Sequence, residues 1–365
     1  MRHPTAAAEL ADRLWQAVAG GDEYAAVDLL RKAAADGADE EALLLEVIAP
    51  VQRKAGEEWA AGRITVAQEH ATTAINERVV ATLAHRAAAP GRHPARRGRV
   101  TVGCVDGEWH AFPARLVAEV LRLRGWQVDY LGARMPTAHL VAHLHLTNPD
   151  AVLLSASVAT RLPTAHAAVT ACQAIGVPVL AGGRAFGADG RHARALGADR
   201  WAADARGAAA VLEAGLARPG PAAIRQVADD LPHLADQEYT MVVQSRATLV
   251  KQTLVDLETR FPAMRGYDDA QREHAAQDIA HIVDFLATAL YVDDPEVFTA
   301  FLTWTARILE ARHVPARSVA LGLDILAEQL REFPRTLVLL REGRTAVLDG
   351  TTRSTRPVPG PHLPV

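Results

Sequence analysis

A histidine follows a strand-like run near residue 100, with a carboxylate two residues before it. The apolar run RVTVGCV (99–105) leads into a loop that contains Glu108, Trp109 and His110. Imidazole is a strong metal ligand when a carboxylate accepts its other ring N–H, because that bond fixes the tautomer and makes the ligating nitrogen more basic. The loop is a candidate metal site with His110 as the ligand. The alternative is a solvent-exposed loop histidine.

Two later loops carry residue types that suit a bulky organic ligand. Ser155 and Ser157 end one apolar run, and Gly182 and Gly183 end the next. A hydroxyl can hydrogen-bond to a nitrogen base, and paired glycines let a bulky group pass close to the backbone. Glycine after a strand usually forms only a turn, so each loop alone is weak evidence for a ligand site. The evidence is stronger because the loops follow one another in this order along the chain.

Between residues 99 and 217, short apolar runs alternate with helical stretches. The alternation predicts a doubly wound parallel sheet of five strands. Ligands bind such sheets at the carboxyl ends of the strands, so all three loops are expected at one edge. The predicted strands cover residues 99–105, 126–132, 151–157, 177–183 and 199–204.

The segments on both sides of this sheet have helical patterns, so the predicted fold class is multidomain α and α/β. Residues 1–88 carry apolar side chains at helical spacing, which predicts a four-helix bundle. Residues 87–99 are a predicted linker. Residues 225–345 predict an all-α domain, and the proline-rich residues 346–365 predict a flexible tail. The helices of the all-α domain are expected at 227–260, 268–291, 295–312 and 316–332.

Composition excludes several classes of protein. The 365 residues include 39 basic and 43 acidic side chains, so no general surface for nucleic acid or anionic membranes is indicated. Cys104 and Cys172 are too few for a disulfide framework and lack metal-ligand spacing. No signal peptide and no uncharged apolar run of about 18 residues are present. We therefore expect a cytoplasmic protein that does not span a membrane.

A second constellation lies in the predicted bundle. Trp59 is followed after nine residues by Glu69 and His70, and Val66 shares their helix face. An indole, a carboxylate and an imidazole on one side can enclose a flat group with a polar edge, such as adenine. The alternative is a half-buried tryptophan beside a solvated Glu-His pair.

The three loops of the predicted sheet resemble those of the cobalamin-binding domain family, whose motif runs D-x-H-x-x-G, then S-x-L, then G-G. The resemblance implies a Rossmann-like domain in which His110 ligates cobalt and the nucleotide tail lies between the Ser and Gly-Gly loops. This chain departs from the motif at three positions. Glu108 replaces the Asp, Pro113 replaces the Gly and Ser157 replaces the Leu.

The W-x9-E-H spacing resembles that of the adenosylcobalamin photoreceptors, the light-sensing repressors of carotenoid genes. The resemblance covers about residues 5–215 and implies that Trp59 packs against the 5′-deoxyadenosyl group, while Glu69 and His70 bind its sugar and base. Ala60 stands where some relatives carry a histidine, which leaves His70 nearby for the vacated cobalt face. The repressors begin with a DNA-binding winged helix and this chain begins almost at the bundle, so no nucleic-acid binding is expected.

The last helical domain resembles the globin-like extension of photocobilins, a cobalamin photoreceptor subfamily that also holds biliverdin. No cysteine follows residue 172, so a bilin in this domain would be held non-covalently. Guanidinium groups pair with carboxylates in bidentate fashion. Candidate contacts are Arg246, Arg307 and Arg312 for the propionates, and Tyr239 and His281 for the pyrrole nitrogens and ring oxygens.

The leading hypothesis is a light sensor rather than an enzyme, with no catalytic residues. Photolysis of adenosylcobalamin would shift the bundle between two arrangements and change the assembly of a homo-oligomer. Biliverdin would extend the response to red light, and output would pass through assembly or an effector protein. Two alternatives stay open: a corrinoid methyl carrier of a methyltransferase, and a cobalamin module fused to a haem globin sensor.

Overall fold

A computed structural model of the chain describes residues 6–87, 97–220, 236–312 and 314–350. The described residues form two compact units. The first contains those of Met1–Ser157 and Thr164–Ile224, and the second contains those of Val158–Pro163 and Arg225–Pro361. Most of the predicted linker, the first residues of the predicted helix at 227–260 and the tail beyond residue 350 lie outside the described residues. None of the described helices is long and apolar enough to cross a membrane.

The helical bundle predicted for the start of the chain is confirmed. The carboxylates of Asp22 and Asp39 begin two of its helices, because each accepts a hydrogen bond from a first-turn N–H that has no partner within the helix. The third helix includes a π-helical turn, which adds one residue to the turn. The elements are α1 (Ala6–Ala19), α2 (Glu23–Ala35), α3 (Glu40–Ala42) continuing through the π-helical turn (Leu43–Ile48) into α4 (Ala49–Ala60), and α5 (Val66–Ala87).

The five-stranded parallel sheet is also confirmed. Its strand order is β2-β1-β3-β4-β5, so the chain reverses direction across the sheet between β1 and β3. The central strands are nearly continuous apolar runs because helices cover both faces of the sheet. The strands are β1 (Arg99–Cys104), β2 (Gln127–Gly132), β3 (Ala151–Ser155), β4 (Val179–Gly182) and β5 (Arg200–Ala202).

Five helices connect and flank these strands. The helix after β1 begins at Ala111, and Pro113 is tolerated in its first turn because the N–H groups there have no partner within the helix. The apolar core of the bundle continues onto this helix through Phe112, Leu116 and Val120. The helices are α6 (Ala111–Leu123), α7 (Thr137–Thr147), α8 (Leu162–Ala174), α9 (Arg191–Ala195) and α10 (Ala205–Ala214).

The second unit contains one described helix more than the sequence predicts. The expected helices end at residue 332, but Pro334 occupies the first helical position of a further helix. That helix continues to Gly350, five residues into the predicted flexible tail. The core of the unit includes Phe285 and Phe301, whose rings stack with centroids 3.8 Å apart. The helices are α11 (Glu238–Arg260), α12 (Asp269–Val292), α13 (Pro295–Ala311), α14 (Arg317–Gln329) and α15 (Pro334–Gly350).

Candidate functional site

The loop after β1 holds His110 by means of Glu108. Glu108 Oε1 lies 2.6 Å from Nδ1 of the His110 ring and accepts hydrogen bonds from the backbone N–H groups of Trp109 and His110, both at 2.9 Å. Its other oxygen, Oε2, accepts a hydrogen bond from the Ser157 N–H at 2.7 Å. When the Nδ1–H donates a hydrogen bond to Glu108, Nε2 carries the lone pair with which an imidazole ligates a metal.

Glu108 is a buried carboxylate that stays ionised. Burial raises its pKa, but the hydrogen bond to the His110 ring, the charge of that ring and the N–H groups of His110 and Ser157 outweigh burial and lower the pKa to about 2. Cys104 is the last residue of β1, the strand before this loop. Burial and the nearby charge of Glu108 raise the pKa of its thiol to about 12. At neutral pH this thiol is protonated, so it does not compete with His110 as a ligand.

Strand register brings the three predicted loops to one edge of the sheet. Cys104 pairs with Ser155, and Ser155 pairs with Gly182, so β1, β3 and β4 end side by side. β1 and β3 are the two strands between which the chain reverses direction, and this point is where doubly wound sheets bind ligands. Glu108 joins the first two loops directly through its bond to the Ser157 N–H.

Beside these loops lies a cavity of about 180 Å³. Ser155, Gly182 and Gly183 line it, and so does Pro113, which stands where the motif has glycine. Gly183 has φ +98°, and a Cβ there would lie 2.3 Å from the carbonyl oxygen of Ala156. Only glycine therefore fits at this position, because the loop after β4 passes close to the backbone of Ala156.

Trp59, Val66, Glu69 and His70, here called the cap motif, lie at the junction of α4 and α5. Trp59 is buried near the end of α4 with 6% of its surface exposed, and Val66 begins α5 half-buried. Glu69 accepts hydrogen bonds from the amide of Gln52 at 3.4 Å and from the hydroxyl of Thr73 at 3.0 Å. The sequence analysis missed these two partners, although Thr73 lies one helical turn after Glu69 and its spacing could have indicated it.

His70 brings the cap motif to the loop of His110. Its ring centroid lies 6.2 Å from that of Trp109, and the Trp109 ring lies 4.5 Å from the His110 ring. Glu69 lies beside His70, with 4.0 Å between Oε2 and Nε2. Two motifs separated by about 40 residues of sequence therefore meet in space.

The residues predicted to bind a bilin lie on three helices of the second unit. Arg246 on α11 forms a bidentate ion pair with Asp284, an acidic partner that the sequence analysis missed although it lies one helical turn from His281. His281 on α12 is half-buried, and burial lowers the pKa of its ring. The charges of Asp284 and Arg246 also act on that ring, so Arg246 and His281 lie near the same carboxylate.

The other three bilin candidates lie elsewhere in this unit. Tyr239 packs its ring edge against Tyr291 with centroids 4.9 Å apart, and burial raises the pKa of its hydroxyl. Arg307 is half-buried on α13. Arg312 follows α13, donates to the carbonyl of Ile308 and lies near Asp278, whose pKa burial raises to about 6.

The geometry of the first unit fits the cofactor that the motif resemblance implies. Glu108 lies 2.6 Å from Nδ1 of His110, and Nε2 is the ring nitrogen that would ligate cobalt. The cavity has apolar walls beside Ser155 and the glycine pair, and Gly183 leaves no space for a side chain. A corrin held through His110 with its nucleotide tail in this cavity would use each of these features.

Two consecutive segments of the chain match known families. Residues 98–212, which contain the sheet and its helices, match a B12 binding domain family. Residues 10–84, which contain most of the bundle, match a second family that is also described as a B12 binding domain.

One curated relative and several solved structures are similar to parts of the chain. The HTH-type transcriptional repressor CarH of Myxococcus xanthus is 39% identical over 118 residues, which are 32% of this chain and 37% of the repressor. The chain thus matches little more than a third of that relative's length.

Two solved structures overlap a little more than half of the chain. The monomethylamine corrinoid protein of Methanosarcina barkeri has a TM-score of 0.48 and 20% identity, over 56% of this chain and 97% of that protein. A cobalamin-binding protein of Desulfitobacterium hafniense DCB-2 has a TM-score of 0.31 and 22% identity, over 56% of this chain and 97% of that protein. With both families matched in the order bundle and then sheet, the chain contains two segments that are similar to B12 binding domains.

Proposed function

We propose that this protein is a light sensor whose chromophore is adenosylcobalamin. The observation that carries the proposal is that the ring centroids of His70 and Trp109 lie 6.2 Å apart, which brings the W-x9-E-H motif beside the loop of His110. The motif resembles that of light-sensing repressors, and the 39% identity to a transcriptional repressor supports the same relationship. The chain acts as a photoreceptor and not as an enzyme.

The residues of the first unit have separate tasks in this proposal. When bound, the cofactor supplies a cobalt–carbon bond that light breaks. His110 would ligate cobalt, and Glu108 holds its ring in one orientation. Trp59 would pack against the adenosyl group, and Glu69 and His70 would bind its sugar and base.

The contact between the bundle and the sheet can respond to this chemistry. Polar contacts across it include ion pairs from Arg124 and Arg206 to Glu41, at 2.9 Å each, and these are partly exposed. Exposed pairs contribute only about 0.2–1 kcal/mol each. In this proposal, loss of the adenosyl group would remove a packing partner of Trp59, and the bundle would then shift between two arrangements with a change in homo-oligomeric assembly.

The test is an absorption titration with adenosylcobalamin in darkness, repeated after green light and followed by size-exclusion chromatography. We expect tight binding in the dark, a spectral change on illumination and a shift in elution volume. Trp59→Phe should weaken adenosylcobalamin several-fold and leave methylcobalamin unaffected, whereas Trp15→Phe on α1 should change neither. A bound spectrum that light leaves unchanged would overturn the proposal, and tight binding of methylcobalamin alone would indicate a methyl carrier.

A second, non-covalent chromophore completes the proposal. As in photocobilins, the helices of the second unit would form a globin-like domain for biliverdin. The support is that Arg246 and His281, a candidate propionate partner and a candidate pyrrole partner, lie near one carboxylate, that of Asp284. Biliverdin titrated into the protein should give a red-shifted, structured band that His281→Ala diminishes and the exposed His274→Ala retains. If biliverdin mixed with the protein keeps the spectrum of free biliverdin, the proposed second chromophore is refuted.

A further inference from the structure

The bundle contributes one wall of the cavity beside the Ser155 and Gly182–Gly183 loops. Leu45 lines this cavity, although it belongs to the π-helical turn of the third helix. The two preceding leucines, Leu43 and Leu44, are each only 3% exposed within the core of the bundle. Leu43 and Leu44 therefore pack in the core of the bundle, whereas the next residue, Leu45, lines the cavity of the sheet domain.

An ion pair holds this turn against the sheet domain. Arg206 donates to Glu46 at 2.8 Å and to Glu41 at 2.9 Å. Glu46 directly follows Leu45, and Arg206 directly follows Ala205, which lines the same cavity. The neighbours of two cavity-lining residues, one in the bundle and one at the start of α10, are thus bonded to each other.

The lining of the cavity is almost free of hydrogen-bonding side chains. Of its 18 lining residues, only Ser155 and Asp204 have polar side chains. Asp204 already accepts a hydrogen bond at 2.7 Å from the N–H of Gly207, as the cap of α10. A flat apolar ring gains from burial here, while a ring with several polar edge atoms loses its water without finding partners.

We propose that Leu45 makes this cavity selective for corrinoids with an apolar benzimidazole base over corrinoids with a purine base. The inference rests on the proposed cobalamin site, because it takes the nucleotide tail as the occupant of the cavity. It adds a specificity-determining residue from the bundle to a slot that otherwise belongs to the sheet domain. The base of the cofactor thereby touches the part of the molecule that is expected to move.

The experiment compares three ligands in darkness by absorption titration: cobalamin, the same corrinoid with an adenine base, and a corrinoid without a nucleotide. We expect the protein to prefer cobalamin over the adenine form by roughly tenfold or more, the factor that unpaired buried polar groups produce. Leu45→Gln, which offers hydrogen bonds, should reduce this ratio several-fold. The control Leu29→Gln, a half-buried leucine of α2 outside the cavity, should preserve it.

A larger side chain tests the contact itself. Leu45→Trp should weaken cobalamin and leave the corrinoid without a nucleotide bound as in the wild type, which also shows that the variant is folded. Equal affinity of the wild type for the benzimidazole and adenine forms would overturn the inference while leaving the light sensor intact. An unchanged ratio in Leu45→Gln, with Leu45→Trp binding cobalamin normally, would overturn it as well. Failure of every corrinoid to bind would refute the proposed function and this inference together.

Discussion

Two glutamate–histidine pairs lie on either side of Trp109, and they are built differently. Glu108 has no exposed side-chain surface and lies 2.6 Å from Nδ1 of His110, whose side chain is 17% exposed. Glu69 and His70 lie 4.0 Å apart, and the side chain of His70 is 57% exposed. The pair on the sheet is held by its surroundings, whereas the pair on the bundle can change its contacts at low cost.

The difference follows from where each carboxylate finds its partners. Glu108 accepts N–H groups from its own loop and from the loop after β3, so the sheet itself orients it. Glu69 accepts hydrogen bonds from Gln52 and Thr73, two side chains of the bundle, and the His70 ring centroid lies 6.2 Å from that of Trp109. In the proposed light sensor, the rigid His110 would keep its bond to cobalt, and the adaptable His70 would change its contacts when the cobalt–carbon bond breaks.

The strongest test of the rigid pair is His110→Ala. Loss of a hydrogen-bond partner of a ligating histidine costs roughly 10- to 100-fold in metal affinity, so loss of the ligand itself should weaken cobalamin by more than about 100-fold. The spectrum of imidazole-ligated cobalamin should vanish. His143→Ala is the matched control, since His143 pairs with Asp129 at 3.2 Å elsewhere on the sheet domain. Retention of the wild-type spectrum in His110→Ala would refute the ligand assignment.

Glu108→Gln removes the buried charge of the Glu108–His110 pair, so it should change how the unfolding free energy depends on pH. The pKa of Glu108 falls from an ordinary 4.5 to about 2 on folding, so its charge stabilises the folded state above pH 4.5 and loses this effect as the pH falls towards 2. We expect the variant to lose on the order of 3 kcal/mol of unfolding free energy at pH 7. Its deficit should shrink in denaturant titrations between pH 4.5 and 2. Glu9→Gln, the same change at an exposed site, should show no deficit at any pH.

Gly183→Ala should damage the fixed side of the site through the backbone. Both Gly183 and Gly176 have positive φ, but only at Gly183 would a Cβ meet the Ala156 oxygen, at 2.3 Å. We expect Gly183→Ala to lower the unfolding free energy by about 1 kcal/mol more than Gly176→Ala. It should also weaken cobalamin, and equal stability of the two variants would show that the close approach is relieved elsewhere.

The smallest expected effect on stability belongs to the adaptable pair. His70→Ala removes a mostly exposed side chain, so the unfolding free energy should change by less than about 0.5 kcal/mol. The exposed His85→Ala on the same helix is its control. The light-induced shift in elution volume should nevertheless be reduced in His70→Ala alone. A large loss of stability in this variant would contradict the contrast between the two pairs.

Much of the fold was predictable from the chain alone, because its signals are local. Continuous apolar runs such as residues 99–105 identify buried parallel strands, and apolar residues at helical spacing identify the bundle. The prediction of helix ends failed where one residue type can either begin a helix or end one. Pro334 can end a helix or begin one, and only the packing of α15 decides between them.

The candidate site was predictable in part for the same reason. The loop residues Glu108 and His110 are two positions apart, so their contact follows from local geometry. Gln52 and Leu45 carry no such signal: the first meets Glu69 across 17 residues, and the second meets a cavity formed by a later domain.

The amino-acid sequence by itself determined the order of the domains, the sheet with its three loops at one edge, and the histidine with its carboxylate. Hydrophobic period and short spacings settle these features, and both act over a few residues. Only the tertiary structure decided that His70 lies against Trp109 and that Leu45 enters the cavity. These contacts depend on how the bundle packs onto α6 and α10, and such packing reflects whole apolar surfaces rather than any short motif.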